Sequence, residues 1–301
     1  MSEMFSPQFR KEAVVSAEDK KADELQQKLL DVMNPTDTKE NRKDNAVKRR
    51  AVKREYVEAY PDQLEGIEII FGIKKFLELQ KHIESQTREN SDWEETKKIL
   101  RELTEYQFLI THYLLEAGDK PGGRSSLNKF WRLGEKIAQG SNSLGEFLAI
   151  KKGILGQVAS YRILRELGHS PKLPHPNLDA FFSVDLLTQE SMAVQVKSHF
   201  AKEPVLLGIE QVEEIGVPAT IINHGGQEVF INEKHSEALR KFKINLQKLS
   251  RQTHQSYRGY EFIIPINMID ENTGAPIEKI VQYFKNELER RLGKQPSAAS
   301  A

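Results

Sequence analysis

The feature that most constrains this chain is a change of hydrophobic rhythm near residue 142. Before that point apolar residues recur with the spacing of about 3.6 that gathers them on one face of a helix. Beyond it, helical stretches alternate with short runs of Val, Ile, Phe and Leu that read as strands. A helical bundle does not accommodate the second pattern, and an all-β sandwich does not accommodate the first. The expected fold is therefore mixed α/β. A helical N-terminal region, residues 1–142, precedes an α/β domain, residues 143–292, with a central mixed sheet flanked by helices. The tail 293–301 (GKQPSAASA) is small and polar and is expected to be disordered.

In the first region an amphipathic segment runs from Ala17 to Met33 and stops at Asn34, because the residue before a proline is disfavoured in α. A charged helix follows from about Lys39 to Tyr60, before Pro61. Apolar positions 64, 67, 70, 71, 73, 76, 77 and 83 predict a helix over 62–86. Ser91 with Glu94 makes a capping box for the next helix, which carries Leu100, Leu103, Tyr106, Ile110 and Leu114 to Gly118. After the Pro/Gly loop GDKPGGRSS, a helix with Leu127, Trp131 and Ile137 closes near Gly140. The apolar faces 64–83 and 99–115 are expected to pack on one another.

The second region opens with a helix from Leu144 to Leu167 that Gly168 terminates, with Gly153 and Gly156 as candidate bends. A Pro/His-rich loop (169–177) leads to an expected strand, Ala180 to Leu187, then a turn and a strand, Met192 to Ser198. Val217–Ile222 and Val229–Ile231 flank His224-Gly225-Gly226 as a hairpin. A helix from Glu233 to Leu249, a strand from Tyr260 to Ile266 and a helix from Ile277 to Leu292 complete the pattern.

Several chemistries drop out at once. There is no cysteine among the 301 residues, so disulfides, thiolate nucleophiles, Cys-bound zinc and iron–sulfur clusters are excluded. Lys and Arg number 44 against 44 Asp and Glu, which excludes a uniformly basic coat but not a local basic patch. The start MSEMFSPQFRKEAVV has no apolar core of a signal peptide, and the greasiest stretch, Ile67 to Leu79, is cut by Glu68, Lys74, Lys75 and Glu78. A cytoplasmic protein is expected. No His-x3-His, phosphate-loop or Gly-x-Ser-x-Gly pattern is present.

Chemistry concentrates in residues 153–198. Residues i and i+2 of a strand share a face, so Gln195 and Lys197 point together with Val196 turned away. A tight turn would bring Asp185 beside them. One carboxylate, one amide oxygen and one ammonium then meet at a strand end.

In this arrangement the segment resembles the restriction-endonuclease-like PD-(D/E)xK superfamily, in the Gln-x-Lys form found among Mrr-like nucleases. The resemblance covers residues 144 to about 266. It implies an endonuclease hydrolysing phosphodiester bonds with Mg²⁺ or Mn²⁺. By resemblance Asp185 holds the metal with the Gln195 amide oxygen and the Val196 backbone carbonyl, hard oxygen ligands that suit the ion. Lys197 orients the attacking water and stabilises transition-state charge.

The family places a Glu on the helix where this chain has Gln157, in Gly153-x-x-Gly156-Gln157. Glu146, eleven residues earlier, returns to nearly the same helical face and is the candidate replacement. The alternative reading is a nuclease-fold protein that binds nucleic acid or a protein partner without cutting. The expected partner is nucleic acid, DNA rather than RNA, with a second copy of the chain as another candidate.

Three further groups have two readings each. Asp179 is a rival ligand to Asp185 or a cap at a loop-to-strand junction. The run Lys48, Arg49, Arg50, Lys53, Arg54 is a phosphate-contacting patch or an ordinary solvated helix face. Lys120, Arg124, Lys129 and Arg132 surround Phe130 and Trp131, where Trp131 is a core residue or a base-stacking platform.

Overall fold

The computed structural model describes residues 42–60, 64–86, 93–199, 203–209, 220–224, 227–231 and 233–292, with six residues between Glu24 and Val32. The chain divides into two compact units, residues 1–64 and 65–301. It is mixed α/β, with helices and a five-stranded mixed sheet. No described helix is long and apolar enough to cross a membrane.

In the first unit, helix α1 (Arg42–Ala59) corresponds to the charged segment expected over 39–60. The Arg49 Nε donates to the Val32 carbonyl (2.9 Å), and Lys28 pairs with Glu55 (2.7 Å). Most of the segment expected over 17–33 lies outside the described residues, as do Ser91 and the tail 293–301.

The second unit is built on helices α2 (Leu64–Gln86), α3 (Trp93–Gly118), α4 (Gly123–Gly140) and α5 (Leu144–Glu166). The expected packing of the 64–83 and 99–115 faces is present. Phe76, Ile99 and Leu103 form one buried cluster, and Phe76 stacks on Tyr106 at 4.7 Å. The Tyr106 hydroxyl donates to the Ile69 carbonyl across this seam. The change of rhythm near residue 142 is thus a change of secondary structure within the second unit.

Helix α5 runs unbroken through Gly153 and Gly156. Gly156 is there for contact with the sheet: a Cβ at that position would lie 2.7 Å from Ser198 Cβ. The close approach lets the Ser198 hydroxyl donate to the Lys152 carbonyl (2.5 Å).

The sheet comprises β1 (Pro171–Lys172), β2 (Leu186–Thr188), β3 (Met192–His199), β4 (Val205–Gly208) and β7 (Arg258–Pro265) in the order β1-β2-β3-β7-β4. β1, β2 and β3 form an antiparallel meander. β7 runs parallel to β3, and β4 closes the edge antiparallel to β7. β5 (Thr220–His224) and β6 (Gln227–Ile231) pair separately, giving the hairpin expected around Gly225-Gly226. Residues 217–219 of that expectation lie outside the described residues.

Helix α7 (Glu233–Thr253) covers the Ala193 face of the sheet with Phe242, Leu246 and Leu249. Helix α8 (Glu278–Arg291) follows β7 and places Phe284 against Phe262, with ring centroids 4.3 Å apart.

Two strand expectations need correction. Residues 180–182 are not strand; they end helix α6 (Pro176–Phe182), and β2 begins only at Leu186. Proline at the first helical position is compatible with a helix start, and the His175 ring nitrogen accepts the Asn177 N–H at 3.3 Å. Ser183 in the left-handed region (φ 56°) stops the helix. Strand β4 was not expected, because four residues after Pro204 offer no alternation to read.

Candidate active site

Asp185 immediately precedes β2 and is tied to β3 on both sides of Gln195. Its N–H donates to the Val194 carbonyl (2.9 Å), and its Oδ2 accepts the Val196 N–H (2.6 Å). The register Leu186↔Val194 sets Asp185 opposite Gln195, and opposed residues of an antiparallel pair share a face. Lys197 shares that face by alternation. In the parallel pair, Gln195 lies in register with Glu261 of β7. Asp185, Gln195 and Glu261 therefore cross three neighbouring strands, spaced roughly 4.8 Å apart, on the side α7 covers.

This face is polar where a core would be apolar. Glu261 is 1% exposed and Gln195 6%. The His235 Nε2 at the start of α7 contacts Glu261 Oε1. Glu261 Oε2 and Gln195 Oε1 are buried with no hydrogen-bond partner among the described residues. Buried acceptors are nearly always satisfied, so two orphans side by side call for a physical reason.

Asp179, on α6, belongs to the same electrostatic cluster. Burial pushes its carboxyl up to about 8, the nearby Asp185 adds to the rise, and Lys197 opposes it. Burial likewise raises Asp185 to about 6, against the Val196 N–H and Lys197, with Glu261 pushing it further up. Asp179 is therefore no loop-to-strand cap: it is a carboxyl on helix α6 that feels the charges of Asp185 and Lys197. Lys197 is half-buried and acts on both acids.

The sign of the resulting pH effect follows. Unfolded Asp releases its proton near pH 4. Between about pH 4 and pH 8 the folded state holds protons that the unfolded chain has lost, so stability falls as pH rises. One retained proton corresponds to about 1.4 kcal/mol per pH unit, or roughly 3–6 °C of melting temperature for a unit of this size. We expect the melting temperature of the wild type to fall more steeply between pH 5 and 7 than that of Asp179→Asn. Parallel curves in a calorimetric pH series would show that Asp179 is ordinary.

Gln157 has a defined task. Its Nε2 donates to the Asp185 carbonyl (2.8 Å), and its Oε1 lies 2.9 Å from the Thr111 hydroxyl. Both ends of the amide are engaged, so Gln157 positions the Asp185 backbone. A cavity of about 300 Å³ beside it is lined by Gln107, Glu146, Gly153, Gln157, Asp185 and Val196. Glu146 shares that cavity, yet eleven residues of helix set it roughly 16 Å along the axis from Gln157.

Of the expected site residues, the structure brings Asp185, Gln195 and Lys197 to one face and adds Asp179, Glu261 and His235. In α1, Lys48, Arg50 and Arg54 are exposed, while Arg49 and Lys53 are half-buried. In the other basic patch Arg124 pairs with Asp270 (2.7 Å) and Trp131 is buried at 1% exposure, which makes Trp131 core. A separate exposed group, Glu65 with His112 and Glu116, places one ligand atom each within 4.8 Å. Spacing alone shows two of the three, His112-x3-Glu116; Glu65 comes from another helix.

Comparison with family models, curated proteins and solved structures gives no match.

Proposed function

We propose that the protein is a divalent-metal-dependent endonuclease acting on DNA, with its site at Asp185, Gln195 and Lys197. The observation that carries this reading is their placement on one sheet face, at the junction of an antiparallel meander with a parallel strand. The order supports it too: helix α5, then Asp185 at the head of β2, then Gln195 and Lys197 on the adjoining strand β3, follow one another as in the pattern on which the resemblance rests.

The Gln195 Oε1, buried without a donor among the described residues, fits a hard cation, Mg²⁺ or Mn²⁺, which Asp185 and the Val196 carbonyl would help to hold. When bound, such an ion acidifies water and neutralises phosphate charge. The chain's own residues do the rest. Asp185, fixed by the Val196 N–H and by Gln157, offers an oxygen whose position does not wander. Lys197 orients water for in-line attack on phosphorus and stabilises the negative charge that builds on the non-bridging oxygens. The water oxygen bonds to phosphorus and its proton passes to solvent, while the bond from phosphorus to the leaving oxygen breaks and that oxygen takes a proton from solvent. Lys48, Arg49, Arg50, Lys53 and Arg54 are proposed to add phosphate contacts whose strength falls with salt.

A second reading, binding without cutting, is favoured by Gln157, whose engaged amide stands where the family has a carboxylate. One assay separates them. Purified protein with Mn²⁺ or Mg²⁺ is expected to nick supercoiled DNA, and chelator to abolish the nicking. Retained DNA binding with no cleavage under either ion would establish the second reading.

A further inference from the structure

We infer that Glu261 is a carboxylate ligand of the divalent cation, supplied from the strand next to Gln195 in place of a helix glutamate. This deepens the metal-dependent reading and rests on it. The register is the first ground: Gln195 and Glu261 pair in the parallel ladder, so their side chains leave the sheet side by side on the face that Asp185 shares.

The second ground is independent of register. Gln195 Oε1 and Glu261 Oε2 are both buried acceptors without a donor among the described residues. Leaving such oxygens unpaired costs about 1–3 kcal/mol each, more for a charged group. A hard cation between them satisfies both.

Charge makes the third ground. Asp179, Asp185 and Glu261 crowd one site, where Lys197 and His235 are the cationic side chains that face them among the described residues, and a cation lets all three carboxyls ionise together. The competing candidates are weaker. Gln157 uses both ends of its amide elsewhere, and Glu146 lies roughly 16 Å along α5 from Gln157. His235, which contacts the other Glu261 oxygen, then acts as a positioning residue that aims the carboxylate at Gln195.

Binding is read without nucleic acid, by titrating Mn²⁺ into the full chain and following the free-ion signal by electron paramagnetic resonance. Glu261→Gln should weaken binding at least tenfold. Gln195→Glu, which adds a carboxylate at the paired position, should tighten it about as much, and a gain of affinity does not arise from misfolding. If Glu146→Gln or Glu65→Gln removes the bound ion while Glu261→Gln keeps it, the assignment is overturned. Unchanged affinity in both Glu261→Gln and Gln195→Glu overturns it as well. Tight, Glu261-dependent binding without any DNA cleavage would leave this ligand in place and refute the nuclease reading alone.

Discussion

Lys197→Ala is expected to lower metal-dependent cleavage at least a hundredfold while binding Mn²⁺ no more weakly than the wild type. Lys197 lies on the Asp185 face of β3, two residues beyond Gln195. In the proposed nuclease reaction an ammonium placed there would stabilise charge that exists only in the transition state, and losing such a group typically costs two to three orders of magnitude in rate. Removing it also removes positive charge beside Asp179 and Asp185, so a cation should bind at least as well. Asp185→Asn behaves differently. Its amide oxygen can still accept the Val196 N–H, which preserves the local backbone, but the anionic ligand is gone. Rate and Mn²⁺ affinity should then fall together. Full cleavage by both variants would place the reaction elsewhere or in a contaminant. Loss of rate together with loss of ion affinity in Lys197→Ala would make the lysine a structural support, not a catalytic group.

What could be read from the sequence is local, and what could not be read is set by pairing between distant residues. Gln195 and Lys197 share a face by strand alternation, so that half of the site is visible in three consecutive letters. Asp185 is close enough in sequence to be joined by a single turn. Glu261 is different. It sits in an apolar strand, GYEFIIP, where one charged residue looks like an accident, and only the parallel register with Gln195 gives it a neighbour. The segment DAFFSVDLL contains enough aromatic and β-branched residues to read as one strand. Local backbone chemistry overrides that: Pro176 and His175 start a helix, Ser183 ends it, and Asp179 is carried to the site on α6. Gln157 reads from the family pattern as a lost carboxylate. The structure shows a hydrogen-bond bridge between α3, α5 and the residue before β2.

The second large effect concerns stability. Trp131→Ala is expected to cost about 4 kcal/mol, which lowers the melting temperature by roughly 8–16 °C for a unit of this size. Trp131 is fully enclosed, with Phe130 and Phe147 edge-on at 5.0 and 6.0 Å. Its indole N–H donates to the Asn272 carbonyl (2.8 Å), which ties α4 to the turn that follows β7. That turn holds its shape because Asp270 Oδ1 accepts the N–H groups of both Asn272 and Thr273. Truncation would leave a cavity among aromatic rings and an acceptor without its donor, two costs that add. Trp131→Phe retains most of the ring volume and loses the hydrogen bond, so its penalty should be nearer 1–2 kcal/mol. A base-stacking platform predicts the reverse: little change in melting temperature in either variant and a marked loss of DNA affinity in Trp131→Ala, much of it retained by the Phe ring. Because the ring has almost no exposed surface on which a base could stack, both variants, at a temperature where they are folded, should bind DNA as the wild type does while melting earlier. Thermal unfolding and DNA titration of the two variants decide between these assignments.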